Sequence, residues 1–160
     1  MSSLMKTIDR SALMRDTRQI GIRLGMQCNK TLEREGITGG QAQILLYILR
    51  HPAAGVSLTA LHQASGFSMA SISGQVKHLR EKGYVRAESC AEDDRRKILY
   101  ATEKSRRLQE FLDQALQTTQ QQLYRDFTEE ELGTLERLQK KMLQNLSDCS
   151  EARPKEESQP

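Results

Sequence analysis

The sequence predicts a mainly α-helical fold with one small β-hairpin. Apolar residues recur at helical spacing over most of the chain. Cap residues and glycines cut that periodicity into separate segments. Only the stretch from Tyr84 to Tyr100 alternates as strands do, on either side of a charged run.

Residues from about 5 to 35 read as one long helix, with Ile8, Ala12, Ile20, Leu24, Cys28 and Leu32 recurring along it. Gly21 and Gly25 share a face. Each costs about 1 kcal/mol against alanine in a helix, so the pair reads either as a site of close helix packing or as a locally weak helix. Glu35-Gly36-Ile37 interrupts the pattern, and Thr38 with Gln41 has capping-box spacing. The next helix, about 39 to 51, carries Ala42, Ile44, Leu45, Leu46, Ile48 and Leu49 and is apolar on more than one side, as a central core helix is. His51-Pro52 ends it.

Ser57 can cap a helix whose apolar positions are Leu58 and Leu61, with Val56 and Leu61 at hydrophobic-staple spacing. Gly66 ends this helix at a left-handed position. Ser68 caps the following one, and Phe67 and Ile72 repeat the staple. In that helix Ile72, Val76 and Leu79 face inward with Met69 at the edge, while Ala70, Ser71, Ser73, Gly74, Lys77 and His78 lie opposite. Lys82-Gly83 stops it. Residues 84–88 alternate as a half-buried strand, Ile98-Leu99-Tyr100 suggests its partner, and residues 91–97, Ala-Glu-Asp-Asp-Arg-Arg-Lys, form a tip long for a simple turn. Thr102 caps a second long helix with a stripe of Leu108, Phe111, Leu112, Ala115, Leu116 and Leu123. Tyr124 to Phe127 closes it, and Thr128 with Glu131 opens a last helix ending near 145–148. Ser150 to Pro160 has no apolar residue larger than alanine and is expected to be a disordered tail.

Two short helices joined through one glycine, followed by a charged hairpin, form a winged helix-turn-helix pattern, whose usual work is reading duplex DNA. A small, polar, partly cationic helix face suits a major groove, where short side chains let the backbone approach and hydroxyls and amides bond base edges. An ordinary solvated face would read the same way. The hairpin tip weighs against that, because successive cations suit a wing laid on phosphates or in a minor groove. Ser68, Ser71, Ser73 and Gln75 are the candidates for base edges or nearby phosphates. Lys77, His78, Arg95, Arg96 and Lys97 are the phosphate or minor-groove candidates, with Asp94 beside Arg96 as a brace for the wing.

The segment resembles the MarR family of bacterial transcription regulators. The residues that carry the resemblance are Ser68, Ser71, Ile72, Ser73, Val76 and Leu79, then Glu81-Lys82-Gly83-Tyr84-Val85, Asp94-Arg95-Arg96, and Leu99 with Ala101-Thr102-Glu103-Lys104. The chain departs from the family at Gly74, where many members carry Arg, and at Gln75, where an apolar residue is usual. The resemblance implies that the N- and C-terminal helices interleave into a dimerisation domain. It also implies control by a small, often aromatic or phenolic, molecule bound between the reading domain and those helices. Three long amphipathic helices around so small a domain call for a covering partner as well, and a second copy is the economical one; an intramolecular bundle is the alternative. A dimer would set two reading helices about 34 Å apart on a palindromic operator.

The expected organisation is therefore an N-terminal dimerisation helix over 1–35, a winged helix-turn-helix over 36–102, C-terminal dimerisation helices over 103–149, and a tail over 150–160. The expected function is a sequence-specific double-stranded DNA-binding regulator, a dimeric repressor released by an effector. Two alternatives stand beside it: a thiol-oxidation sensor of the same fold, through Cys28 or Cys90 at the base of the wing, and a winged-helix module for protein association.

Net charge is only +3 over 160 residues. Residues 1–35 and 36–102 each carry an excess of cations and residues 103–160 an excess of acids, as expected if one end faces phosphates. No apolar run is long enough to span a membrane. The N-terminus has no apolar signal region, which makes cytoplasm the expected location. Three widely spaced cysteines suggest neither a disulfide framework nor a zinc site. His51, His62 and His78 lack metal-ligand spacing, and no phosphate loop or nucleophile elbow occurs, so no enzyme chemistry and no cofactor is expected.

Overall fold

The computed structural model describes residues 7–90 and 93–151, and for 90, 93–95, 150 and 151 the backbone alone. In chain order the elements are α1 (Arg10–Leu32), α2 (Gly39–Leu49), β1 (Val56–Ser57), α3 (Leu58–Ser65), α4 (Met69–Glu81), β2 (Val85–Cys90), β3 (Asp93–Ala101), α5 (Glu103–Leu123) and α6 (Glu129–Glu151). A 3-10 turn over Glu33–Glu35 follows α1, and Gly36 reverses the chain at φ 67°. The last helix continues past the expected end near 145–148, through Glu151. The expected tail beyond it lies outside the described residues.

The caps set most of these boundaries. The Asp9 carboxylate accepts from the Ala12 N–H at 3.1 Å, so α1 starts later than its apolar periodicity suggests. At α2 the box is reciprocal: the Gln41 N–H donates to Thr38 Oγ1 and the Thr38 N–H to Gln41 Oε1, both at 3.2 Å. Ser57, Ser68 and Thr128 cap α3, α4 and α6 by accepting from the N–H three residues on, each at 3.1 Å. Each such bond satisfies one of the helix's orphan donors.

The turn between α3 and α4 is closely held. Gly66 sits at φ 73° and its N–H donates to the His62 carbonyl. Ser65 Oγ donates to the Leu61 carbonyl at 2.6 Å and accepts from the Phe67 N–H at 3.2 Å. His62 Nδ1 lies 2.8 Å from the Phe67 carbonyl.

The sheet has three antiparallel strands in the order β1-β3-β2. Its first strand, Val56 paired with Leu99 and Ser57 with Ile98, has no counterpart in the sequence reading. Val56, Leu99 and Val85 bring the sheet onto the core that Ile44, Leu45, Ile48, Leu61, Ile72 and Leu79 form between α2, α3 and α4. Leu112 of α5 is buried in the same core, with Leu108 and Phe111 packed against it. Met69, expected at the edge of the inward face, is 42% exposed.

The chain divides into two compact units, residues 1–120 and 121–160. In the first unit α1 leaves Leu13, Met14, Ile20, Ile22 and Met26 exposed. Among the described residues, a Cβ added at Gly21 or Gly25 would meet nothing within 4 Å. In the second unit Tyr124 and Phe127 meet edge to face at 6.0 Å, and α6 exposes Leu138, Met142, Leu143 and Leu146. Among the described residues no helix is long and apolar enough to cross a membrane.

Candidate nucleic-acid interface

The two faces of α4 separate as the apolar spacing dictates. Ile72, Val76 and Leu79 are buried, while Ala70, Ser73, Gly74, Lys77 and His78 are exposed and Ser71 is half-buried. A Cβ at Gly74 would meet nothing within 4 Å, so the centre of the exposed face is open to close approach. The Ser68 hydroxyl caps the helix N-terminus through the Ser71 N–H.

Gln75 stands apart from the other candidates. It is half-buried, and its amide nitrogen is 3.4 Å from where a Cβ on Gly40 would stand, at the start of α2. The position at which the resembled family is usually apolar thus sits against the body of the domain. Helical spacing alone could not show this, because Gln75 lies on the boundary between the two faces.

The hairpin is more regular than the sequence suggests. The charged run expected as a seven-residue tip is mostly strand, since β2 runs to Cys90 and β3 starts at Asp93. Ser89 pairs with Lys97 and Cys90 with Asp93, so the register shifts between Ser89 and Cys90. Residues 94–96 lie between these two paired positions, as an irregularity within β3. Arg96 and Lys97 are exposed on it. The backbones of Asp94 and Arg95 belong to β3; the side chains, and with them the expected brace between Asp94 and Arg96, lie outside the described residues. The same holds for the Cys90 thiol.

Two cations at this surface were missed. Arg80 on α4 and Arg86 on β2 line one shallow groove with Lys77. The Arg86 guanidinium pairs with Glu88 and lies 4.5 Å from the centroid of the Tyr100 ring. Arg86 could have been found from the outward phase of its strand; Arg80 needed the turn that brings β2 back beside α4.

A cavity of about 330 Å³ lies between α1, α2 and α5, lined by apolar Leu32, Ala42, Leu46, Leu112, Ala115 and Leu116. Cys28 also lines it and is half-buried. Arg50, another lining residue, pairs with Asp113 at 3.3 Å. At its other side α1 approaches α2 closely: Asn29 Oδ1 accepts from the Gly39 N–H at 2.7 Å, and a Cβ on Gly39 would stand 2.9 Å from Cys28 Cβ.

Residues 35–96 match the model of the MarR family. No curated protein matches the chain. Among solved structures, the S. aureus MepR–DNA complex is similar at 24% identity, covering 86% of this chain and 98% of that one, with a TM-score of 0.77. The transcriptional regulator SlyA is similar at 22% identity over 87% of this chain and 96% of its own, with a TM-score of 0.79. A MarR family regulator from Listeria monocytogenes complexed with 26mer DNA gives 21% identity, 94% and 99% coverage and a TM-score of 0.78. These identities speak for a shared fold, and the shared fold spans the helices on both sides of the matched segment. Residues 35–96 of this chain are therefore similar to the MarR family, and they fold as a winged helix-turn-helix.

Proposed function

We propose that the protein is a sequence-specific double-stranded DNA-binding transcriptional regulator, acting as a homodimeric repressor that a small aromatic effector releases. The observation that carries the reading is the exposed face of α4. It is small at Ala70 and Gly74, hydroxylated at Ser73 and cationic at Lys77, as suits a helix entering a major groove. Exposed Arg96 and Lys97 on the hairpin supply cations for the phosphate backbone. In this reading Ser68, Ser71, Ser73 and Gln75 meet base edges or neighbouring phosphates, and Lys77, His78, Arg95, Arg96 and Lys97 meet phosphates or a minor groove. The exposed apolar residues of α1 and of α6 support burial against a second copy. The apolar cavity between α1, α2 and α5 is of a size for a small ring compound.

Binding to duplexes selected from a random pool, followed across salt concentrations, tests the reading. The selected site is expected to be palindromic and to take two chains. Lys77→Ala or Arg96→Ala weakens binding on all sequences and lowers the salt slope by about one, whereas Ser73→Ala changes sequence preference. A chain that grips no duplex even at low ionic strength refutes the DNA reading, and one chain per palindrome refutes the dimer.

A further inference from the structure

The turn that ends α4 is tied to the first residues of α5. Lys104 Nζ donates to the Lys82 carbonyl at 2.6 Å and lies 4.5 Å from the centroid of the Tyr84 ring. Thr102 Oγ1 donates to the Gly83 carbonyl at 2.6 Å, and the Thr102 N–H to the Tyr84 carbonyl at 3.3 Å. Each residue of the turn 82–84 thus carries a bond from the segment 102–104.

The pieces fit one another chemically. Lys82 is the C-terminal cap of α4, where the helix presents its negative end and carbonyls without helical partners. An ammonium is the complement of that end. Gly83, at φ 78°, provides the reversal that turns the chain from α4 to β2. Tyr84 is a fixed platform: it is 6% exposed, its N–H donates to the Leu79 carbonyl at 2.9 Å, and its hydroxyl to the Glu35 carbonyl at 3.4 Å. A lone lysine at a surface contributes little to stability. Here one ammonium meets a carbonyl, an aromatic face and a helix end together, at a turn that Thr102 also holds.

The DNA reading makes no use of Lys104, which belongs to α5 and not to the exposed face of α4. We infer that Lys104 is a positioning residue: it latches the C-terminal end of the reading helix to α5 and so fixes the angle at which Ser73, Gly74 and Lys77 are offered to a groove. The inference rests on the proposed DNA reading.

The test compares wild type with Lys104→Met, which keeps the stem and loses the charge, and Lys104→Arg, which keeps a cation for the ring and a donor for the carbonyl. The readouts are affinity for the selected palindrome, affinity for random duplex, salt slope, thermal midpoint, and amide exchange at Gly83 and Tyr84. Lys104→Met is expected to lose roughly fivefold in affinity for the selected site. Random-duplex affinity and salt slope stay unchanged, exchange at Gly83 and Tyr84 quickens, and Lys104→Arg restores all of these. Parallel loss on both duplexes with a lower salt slope would make Lys104 a phosphate contact and overturn the inference. Unchanged specific affinity would do so too, as would failure of Lys104→Arg to rescue. Should Lys104→Met not fold, Lys104→Gln carries the same comparison. Wild type failing to bind any duplex would remove the DNA reading and the positioning role with it, while the exchange rates of the variants would still report whether the latch exists.

Discussion

Replacing Gly55 by alanine should destabilise the fold more than the same change at any other left-handed glycine. Gly55 stands just before β1 at φ 68°. A Cβ there would overlap Ile98 Cγ2 and come within 2.7 and 2.9 Å of two Tyr100 ring carbons. Both side chains belong to β3, whose Leu99 pairs with Val56, so neither can withdraw without disturbing the strand pairing. Placing alanine in a left-handed conformation costs about 1–2 kcal/mol, and forcing an extra methyl into a packed contact about 1–3 kcal/mol more. The sum is about 2–5 kcal/mol. Gly66 provides the internal control, since it has φ 73° and nothing within 4 Å of an added Cβ. Its alanine variant should bear the conformational cost alone, about 1–2 kcal/mol. Urea unfolding of both variants at one protein concentration measures the difference, the fixed concentration being needed because the stability of the proposed dimer would depend on it. Equal destabilisation of the two variants would mean that β1 does not sit closely on β3, and the account of the three-stranded sheet would fail.

The remaining predictions concern Tyr84 and the cavity. Burial first, and the Glu35 carboxylate second, raise the Tyr84 phenol above its ordinary value. The fold therefore favours the neutral phenol, whose stabilisation is complete below about pH 10 and is lost as pH rises through the higher folded value. Alkaline unfolding of Tyr84→Phe should fall less steeply in that range than wild type, and parallel curves would contradict this. Ala115→Trp, which fills the apolar cavity beside Leu112 and Leu116, should leave duplex binding intact and abolish release by small aromatic compounds. Release persisting in that variant would put the effector elsewhere.

The helices were legible because their signals are local. A cap hydroxyl and the N–H it serves are three residues apart, as at Thr38 and Gln41 or Thr128 and Glu131, and the buried and exposed faces of α4 follow from the 3.6-residue period. The exposure of Ala70, Ser73, Gly74 and Lys77 on one face was legible for the same reason. Met69 was not, since a residue on the boundary between faces is decided by what happens to cover it. Gln75 shows the same limit, its amide standing 3.4 Å from where a Cβ on Gly40 would be, at a residue thirty-five positions earlier in the chain.

By itself, then, the order of residues determined where helices start and stop, which face of each is apolar, and the type of domain that their arrangement makes. Tertiary structure alone decided that Val56 and Ser57 form a strand, since two residues carry no alternation and pair only because β3 offers an edge. It alone drew the charged run into the sheet, set Arg80 and Arg86 beside Lys77, and hooked Lys104 over the end of α4. The physical reason is range. Caps and amphipathic faces arise between residues a turn apart, whereas these contacts close loops of the chain, and they exist only once the core of α2, α3 and α4 has brought distant backbones together.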